Sequence, residues 1–189
     1  LHQGTPAQVA QMVLDEVADA GLATEALADY PELVTLPCYE WQHVLVVPTS
    51  HTLATIERPT LEQIAAHALV TYDPAFTGRG RIDAAFAQRN LSPQIAIEAI
   101  DSDVIKTYVR LGLGVGIVAE MAVDVANADA DLVCTPVGYL FGRNVARLAF
   151  KRGAFLRQYV YTFAQLLSDR ITPALLAQAL RGGGELYEL

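Results

Sequence analysis

The chain has 189 residues, a formal net charge of −8 and a hydrophobic content of 52%. That is enough apolar material for one large domain or two small lobes, and it excludes intrinsic disorder. The acidic balance argues against these residues gripping nucleic acid by themselves, because phosphate binding needs a basic surface.

The first six residues, Leu1-His2-Gln3-Gly4-Thr5-Pro6, lack the basic start, apolar middle and cleavage site of a signal peptide. With no initiator Met, the chain reads as a piece of a longer protein; a processed terminus is the alternative. Residues 6–18 are expected to be helical, with Thr5 as cap, Pro6 in the first turn and Val9, Met12, Val13 and Val17 as an apolar stripe. A short strand follows over 21–24. Beyond Pro31, residues 33–47 read as extended until Pro48 stops them. Thr60 and Gln63 have capping-box spacing and open a short helix to 66.

Residues 68–72 read as a strand, and Thr77-Gly78-Arg79-Gly80 as a turn opening a helix to about 90. A strand is expected over 94–100. Asp101 and Ser102 cap a helix to 111, which Gly112 ends. Then come an apolar strand over 115–119, a short helix near Met121 and strands over 132–136 and 144–151. An amphipathic helix over 156–170 carries Tyr159, Phe163, Leu166 and Leu167 on one face. Pro173 starts a last helix, and Gly182-Gly183-Gly184 is expected to end the ordered core. Strands alternate with helices throughout, an α/β pattern with largely parallel sheets.

No apolar run reaches the ~18 residues that cross a bilayer. Cys38 and Cys134 sit in apolar, strand-like text with no Cys-x-x-Cys or His-Cys cluster. Two buried free thiols are expected, in a reducing cytosol, with a single disulfide as the alternative and no structural zinc. Lys151 and Arg152, with Arg147 and Arg157, form the densest basic group, read as a solvated surface.

His2, His43, His51 and His67 belong to no catalytic signature, and no nucleophile elbow, zincin motif or Walker loop is present. Leu111-Gly112-Leu113-Gly114-Val115-Gly116 has the wrong order for a dinucleotide loop. It follows a helix and opens a strand, so it reads as a helix stop with tight packing. The stronger signal is polar groups at strand ends, where open α/β sheets bind ligands. Thr24 and Thr71 close strands, and Thr77 stands at a helix start. Helix starts at Thr5, Thr77 and Ser102 would suit a small anion, such as sulfate, phosphate or a carboxylate. Ordinary capping explains the same residues equally well.

Longer strings carry a resemblance. They include Gln3-Gly4-Thr5-Pro6 with Gln8-Val9-Ala10, Ala23-Thr24-Glu25-Ala26-Leu27, and Leu36-Pro37-Cys38-Tyr39 with Trp41. Leu69-Val70-Thr71-Tyr72 with Phe76-Thr77-Gly78-Arg79 continues the series, as does the run from Asp103-Val104-Ile105-Lys106-Thr107-Tyr108 to Gly116. Phe155-Leu156-Arg157 with Tyr159 and Tyr161 completes it. Together they resemble, over essentially the whole chain, the effector domain of LysR-type transcription regulators of the cysteine-regulon (CysB-like) group.

The resemblance implies an α/β fold of two Rossmann-like lobes joined by hinge strands, like a type 2 periplasmic binding protein. Lobe I would be 1–38 with 142–189, lacking its initial strand and helix, and lobe II 39–141. It implies no cofactor and no catalysis. The ligand is a small anionic inducer, N-acetylserine or O-acetylserine, with sulfate able to occupy the same site and sulfide or thiosulfate opposing induction. Thr24 and Thr77 match ligand-contacting threonines; Thr71, Gly78 and Gly4 join them as candidate contacts. Tyr39 and Trp41 are the hinge candidates, a packed core aromatic being the other reading of Trp41.

The resemblance further implies a cytoplasmic activator of cysteine biosynthesis genes, a homo-oligomer dimeric through its effector domains and tetrameric at full length. DNA would be met only through a helix-turn-helix outside these residues, and no membrane is involved. A solute-binding protein for a small anion such as sulfate is the first alternative, and an enzyme acting on a small acid the second.

Overall fold

The computed structural model describes residues 1–181, the side chains of Glu25 and Thr77 excepted. The glycines expected to end the core, Gly182 to Gly184, lie outside the described residues. The chain divides into two compact units. The first holds Leu1–Glu40 and the chain from Asn144 onward; the second holds Trp41–Arg143.

In the first unit, α1 (Pro6–Leu14) opens with a complete capping box. Thr5 Oγ1 accepts from Gln8 N–H at 3.3 Å, and Gln8 Oε1 accepts from Thr5 N–H at 2.9 Å. Ala10 and Val13 face inward. The helix stops four residues short of the expected 18. Glu16 turns to φ +59°, and the amides of Val17 and Ala18 both fold back onto Met12 O. Val17 therefore leaves the apolar stripe and is exposed.

Strand β1 (Gly21–Ala23) follows, then a 3-10 turn (Glu25–Asp29) and the 16-residue β2 (Leu33–Pro48), which passes into the second unit beyond Glu40. The chain returns as β7 (Arg143–Lys151), antiparallel to β1 and next to β2 in strand order. Helices α6 (Gln158–Leu167) and α7 (Pro173–Arg181) cover one sheet face. Leu36, Leu148, Phe150, Val160, Ala164 and Leu176 pack there, and Leu27, Leu33 and Ala149 pack with α1 on the other face. Helix α6 is shorter than the expected 156–170. It buries Val160 and Ala164, leaving Tyr159, Phe163 and Leu166 exposed. Arg147 also departs from expectation: it is buried, with Nη1 3.4 Å from Thr35 Oγ1. Its place in the middle of a covered strand overrides its charge.

The second unit is built on the far half of β2. Strands β5 (Val115–Ala119) and β6 (Leu132–Pro136) both pair with it antiparallel. Beyond β5 lie β3 (Leu69–Tyr72) and then β4 (Ile95–Ala99), both pairings of β3 being parallel. The expectation of largely parallel sheets is thus corrected. A helical crossover makes two strands parallel neighbours only where they become adjacent, and the neighbours of β2 here are distant in sequence.

Helices α2 (Leu61–Ala65), α3 (Thr77–Gln88) and α5 (Gly138–Phe141) pack on one face. Leu45, Leu69, Ile82, Phe86, Ile117 and Phe141 form that layer. Helix α4 (Ser102–Arg110) covers the other face through Ile105 and Val109, against Val44, Val46 and Val70. Helix α2 carries the expected capping box of Thr60 and Gln63, and α4 ends at Gly112, where φ is +75°.

Gly80 lies inside α3, and a Cβ there meets nothing within 4 Å among the described residues. Because glycine costs a helix interior about 1 kcal/mol relative to alanine, Gly80→Ala is expected to stabilise the domain by about 0.5–1 kcal/mol. Urea unfolding at equilibrium checks this; a destabilised variant would contradict the open setting of Gly80.

No helix among the described residues is long and apolar enough to cross a membrane. Cys38 is buried as expected, whereas Cys134 is only partly buried; both are free. Burial pushes the Cys38 thiol up to about 11, against smaller lowering contributions from a Leu148 backbone hydrogen bond and the Arg147 charge.

Candidate functional site

The second unit concentrates candidate ligand groups where β3 ends and α3 begins. Side chains alternate along β3, so Leu69 and Thr71 face the α3 layer while Val70 and Tyr72 face α4. Thr71 is fully buried, and its Oγ1 has no hydrogen-bond partner among the described residues. Five residues beyond the end of β3, α3 starts at Thr77. Its N-cap residue, Phe76, supplies no side-chain cap. The helix start thus keeps the partial positive charge of its first-turn amides without an internal acceptor from the cap.

Gly78 fits this turn because it has no side chain. A Cβ there would lie 3.1 Å from His43 Nε2 and 3.3 Å from Trp41 Cη2. His43, fully buried, stands edge-on to Trp41 and to Phe141, with ring centroids 5.1 and 5.6 Å away. Trp41 is therefore a packed aromatic of the second unit, on the face that carries α3.

Two further side chains hold this end of the sheet, and reading the sequence missed both. Arg79 is buried. Its Nη1 donates to the Tyr72 carbonyl and to Glu98 Oε1, each at 2.8 Å, and its Nε donates to Asp83 Oδ1 at 2.7 Å. Burial works against its charge, but the hydrogen bonds to Asp83 and Glu98 outweigh burial and hold its pKa above the ordinary value. The guanidinium thereby ties the first turn of α3 to the ends of β3 and β4. Tyr72 is the second. Its hydroxyl lies 2.6 Å from Ser102 Oγ and accepts from Ala119 N–H at 3.0 Å. Burial pushes the Tyr72 phenol up, with these two hydrogen bonds opposing. The contacts of Arg79 with Tyr72 and Glu98 join residues 7 and 19 positions apart, which no local pattern reveals.

The other helix starts suggested from sequence are occupied. Thr5 is an ordinary cap to Gln8. Ser102 is engaged by Tyr72, and Asp101 caps α4 through Asp103 N–H at 2.7 Å. In the first unit, Thr24 follows the last residue of β1 and precedes the 3-10 turn, which it does not cap. Gly4 is explained by the capping box, since a Cβ there would meet Gln8 Oε1 at 2.9 Å. Tyr39 lines a cavity of about 420 Å³ with Cys38, Glu40 and Arg170. Along β2 it belongs to the first unit, and Trp41 belongs to the second. Thr71, Thr77 and Gly78 thus come together at one sheet end, while Gly4, Thr24 and Tyr39 lie in the other unit.

A second polar assembly braces the far side of the unit. Asp129 is buried and accepts from Lys106 Nζ at 2.9 Å, Arg110 Nη2 at 2.8 Å and Asp124 N–H at 2.8 Å. Arg110 also grips Asp131. These ion pairs fasten the loop between β5 and β6 to α4. Among the described residues, no group of three or more His, Cys, Asp and Glu side chains could hold a metal ion.

The LysR substrate binding domain family matches residues 1–172. The chain belongs to this family. It is 54% identical over 187 residues to the HTH-type transcriptional regulator CysB of Burkholderia cenocepacia, covering 99% of this chain and 59% of that protein. It is 47% identical over 181 residues to the regulator SsuR of the same organism, covering 96% of this chain and 58% of that protein. The chain therefore spans somewhat under three fifths of the length of these relatives.

Among solved structures, the cofactor-binding domain of the Cbl transcriptional regulator superposes with a TM-score of 0.88 at 41% identity, covering 96% of this chain and 80% of that one. The effector-binding domain of QuiR in complex with shikimate, at 17% identity and a TM-score of 0.77, shares the fold; the match covers 89% of this chain and 79% of that one. The architecture is thus the expected α/β, periplasmic-binding-protein-like fold of LysR substrate-binding domains. These relatives are transcriptional regulators and not enzymes, and they do not favour a transport-type solute-binding protein.

Proposed function

We propose that this LysR effector domain senses a small anion: N-acetylserine or O-acetylserine, with sulfate able to occupy the same site. Thr24, Thr71, Thr77, Gly78 and Gly4 are its proposed contacts. The observation that carries this reading is the Thr71 hydroxyl, buried without a partner on the α3 side of the sheet, near a helix start that has no side-chain cap. A helix start favours negative charge, and a hydroxyl adds a donor without adding charge. Similarity to CysB and SsuR supports control of sulfur assimilation and cysteine biosynthesis genes.

In the full-length regulator, binding biases an equilibrium between two conformations, for which a coupling of ~1–3 kcal/mol suffices. That regulator is cytoplasmic, dimeric through its effector domains and tetrameric as a whole, and meets DNA through a helix-turn-helix outside this chain. Tyr39 and Trp41, on either side of the unit boundary along β2, act in the hinge.

Thr71→Val tests the site. The valine keeps the shape and removes the orphaned oxygen, so the ligand-free domain is expected to gain about 1 kcal/mol of stability. Sulfate affinity by calorimetry is expected to fall roughly tenfold, the value of one lost hydrogen bond to an ion. Unchanged affinity in the folded variant would remove Thr71 from the site.

A further inference from the structure

We propose that Asn144 reads a neutral hydrogen-bonding group of the effector, an amide or a hydroxyl, and thereby selects which small anion the domain accepts. The inference rests on the proposed anion sensing with Thr24 as a contact. Asn144 is the second residue of β7 and belongs to the first unit. It has 0% exposure, and neither Oδ1 nor Nδ2 has a hydrogen-bond partner among the described residues. A fold seldom leaves both ends of a buried carboxamide unmet, because each orphaned group loses its hydration without replacement.

The strand register locates the residue. Strands β1 and β7 pair Gly21 with Ala149, Leu22 with Leu148 and Ala23 with Arg147. Continued by one residue, this register sets Thr24 level with Ala146. Asn144 then stands two residues further along β7, about 7 Å away at the usual rise of a strand. Alternation puts Asn144, Ala146 and Leu148 on the sheet face shared by Leu22 and Thr24. The orphaned amide therefore lies on the same face as the proposed ligand threonine of this unit, past the carboxyl end of β1.

Its chemistry restricts the partner. A carboxamide offers an acceptor oxygen beside a donor NH2. Sulfate at neutral pH only accepts, so it leaves Oδ1 unmet. A group that both donates and accepts, such as an amide or a hydroxyl, can satisfy both atoms. The preferred effector is accordingly a small carboxylate that also carries such a neutral group.

Calorimetry on the wild-type chain and on Asn144→Leu, with sulfate and with N-acetylserine as separate probes, tests this. Leucine matches the shape of asparagine and has no polar atoms. Affinity for N-acetylserine is expected to fall roughly tenfold or more, sulfate affinity to stay within about twofold, and the ligand-free melting temperature not to drop. An equal loss for both probes, an unchanged affinity for N-acetylserine, or a melting temperature lower by several degrees overturns the assignment. If Asn144→Leu does not fold, Asn144→Ser and Asn144→Ala are compared. The serine, which keeps a donor and an acceptor, is expected to retain more N-acetylserine affinity than the alanine, and equal losses overturn the idea. Wild-type chain that binds sulfate but not N-acetylserine sinks this inference alone; binding of neither probe sinks the anion reading as well.

Discussion

Asp129→Ala is expected to lower the melting temperature by about 6–12 °C, corresponding to roughly 3 kcal/mol in a domain of this size. The size of the effect follows from what the substitution leaves behind. Lys106 is nearly buried, and its ammonium is shared among Asp129, Asp103 and the Ala122 carbonyl. Removing the buried carboxylate leaves that ammonium with only the exposed Asp103 as a counter-charge, frees one Arg110 contact and orphans the Asp124 amide. A buried ion pair adds little net stability when intact, but breaking it from one side is costly.

The pH dependence gives a second readout. Burial alone would raise the Asp129 pKa, but the Asp124 amide, Lys106 and Arg110 outweigh burial and hold it at about 2, below its ordinary value of 3.8. Because the folded-state value is the lower one, the native state binds the proton less readily than the unfolded chain. The stabilisation is fully present above about pH 4 and is lost as the pH falls toward 2. Thermal melts of wild type and Asp129→Ala should therefore converge at acid pH; a constant gap from pH 7 to pH 2 would contradict the assigned network.

Gly114→Ala is expected to destabilise the second unit by about 2–3 kcal/mol, as overpacking against rigid backbone does. A Cβ at Gly114 would lie 2.4 Å from the Ala68 carbonyl oxygen and 2.9 Å from its carbon. The same oxygen accepts from Val115 N–H at 2.8 Å, at the head of the parallel pairing of β3 with β5. No side-chain rotation relieves a clash between two backbones, so β5 must move off β3 or give up that hydrogen bond. Gly80→Ala is the matched control, with the opposite sign. Urea unfolding of the two variants side by side decides the matter; a cost below about 0.5 kcal/mol for Gly114→Ala would mean that the strand start yields easily.

Local chemistry was the most legible part of the fold. Thr5 with Pro6 and Thr60 with Gln63 announced two helix starts, and Gly112 announced a helix end, because helix ends depend on residues close together in the chain. The α/β class followed from alternation, and the family from strings such as 103–116. Strand direction was misread because pairing around β2 joins residues about 70 to 90 positions apart. Helix α1 was read too long because Val17 kept the apolar rhythm while Glu16 broke the backbone.

At the candidate site, Thr71 and Thr77 were readable as strand-end and helix-start residues. The strut formed by Arg79 was not, since Glu98 reaches it from the neighbouring strand. Asn144 read simply as the first residue of a strand. Its lack of partners is a property of the assembled core and of no short stretch of chain.

The setting of Trp41 has a practical consequence. It is the only tryptophan in the chain, almost wholly buried, and it rests on His43 and against Gly78 at the first turn of α3. Indole emission shifts with the polarity around the ring, so the protein carries an intrinsic optical probe at the helix start proposed to meet the anion. Titrations there can be followed by steady-state fluorescence, without attaching a dye that would disturb the packing being measured.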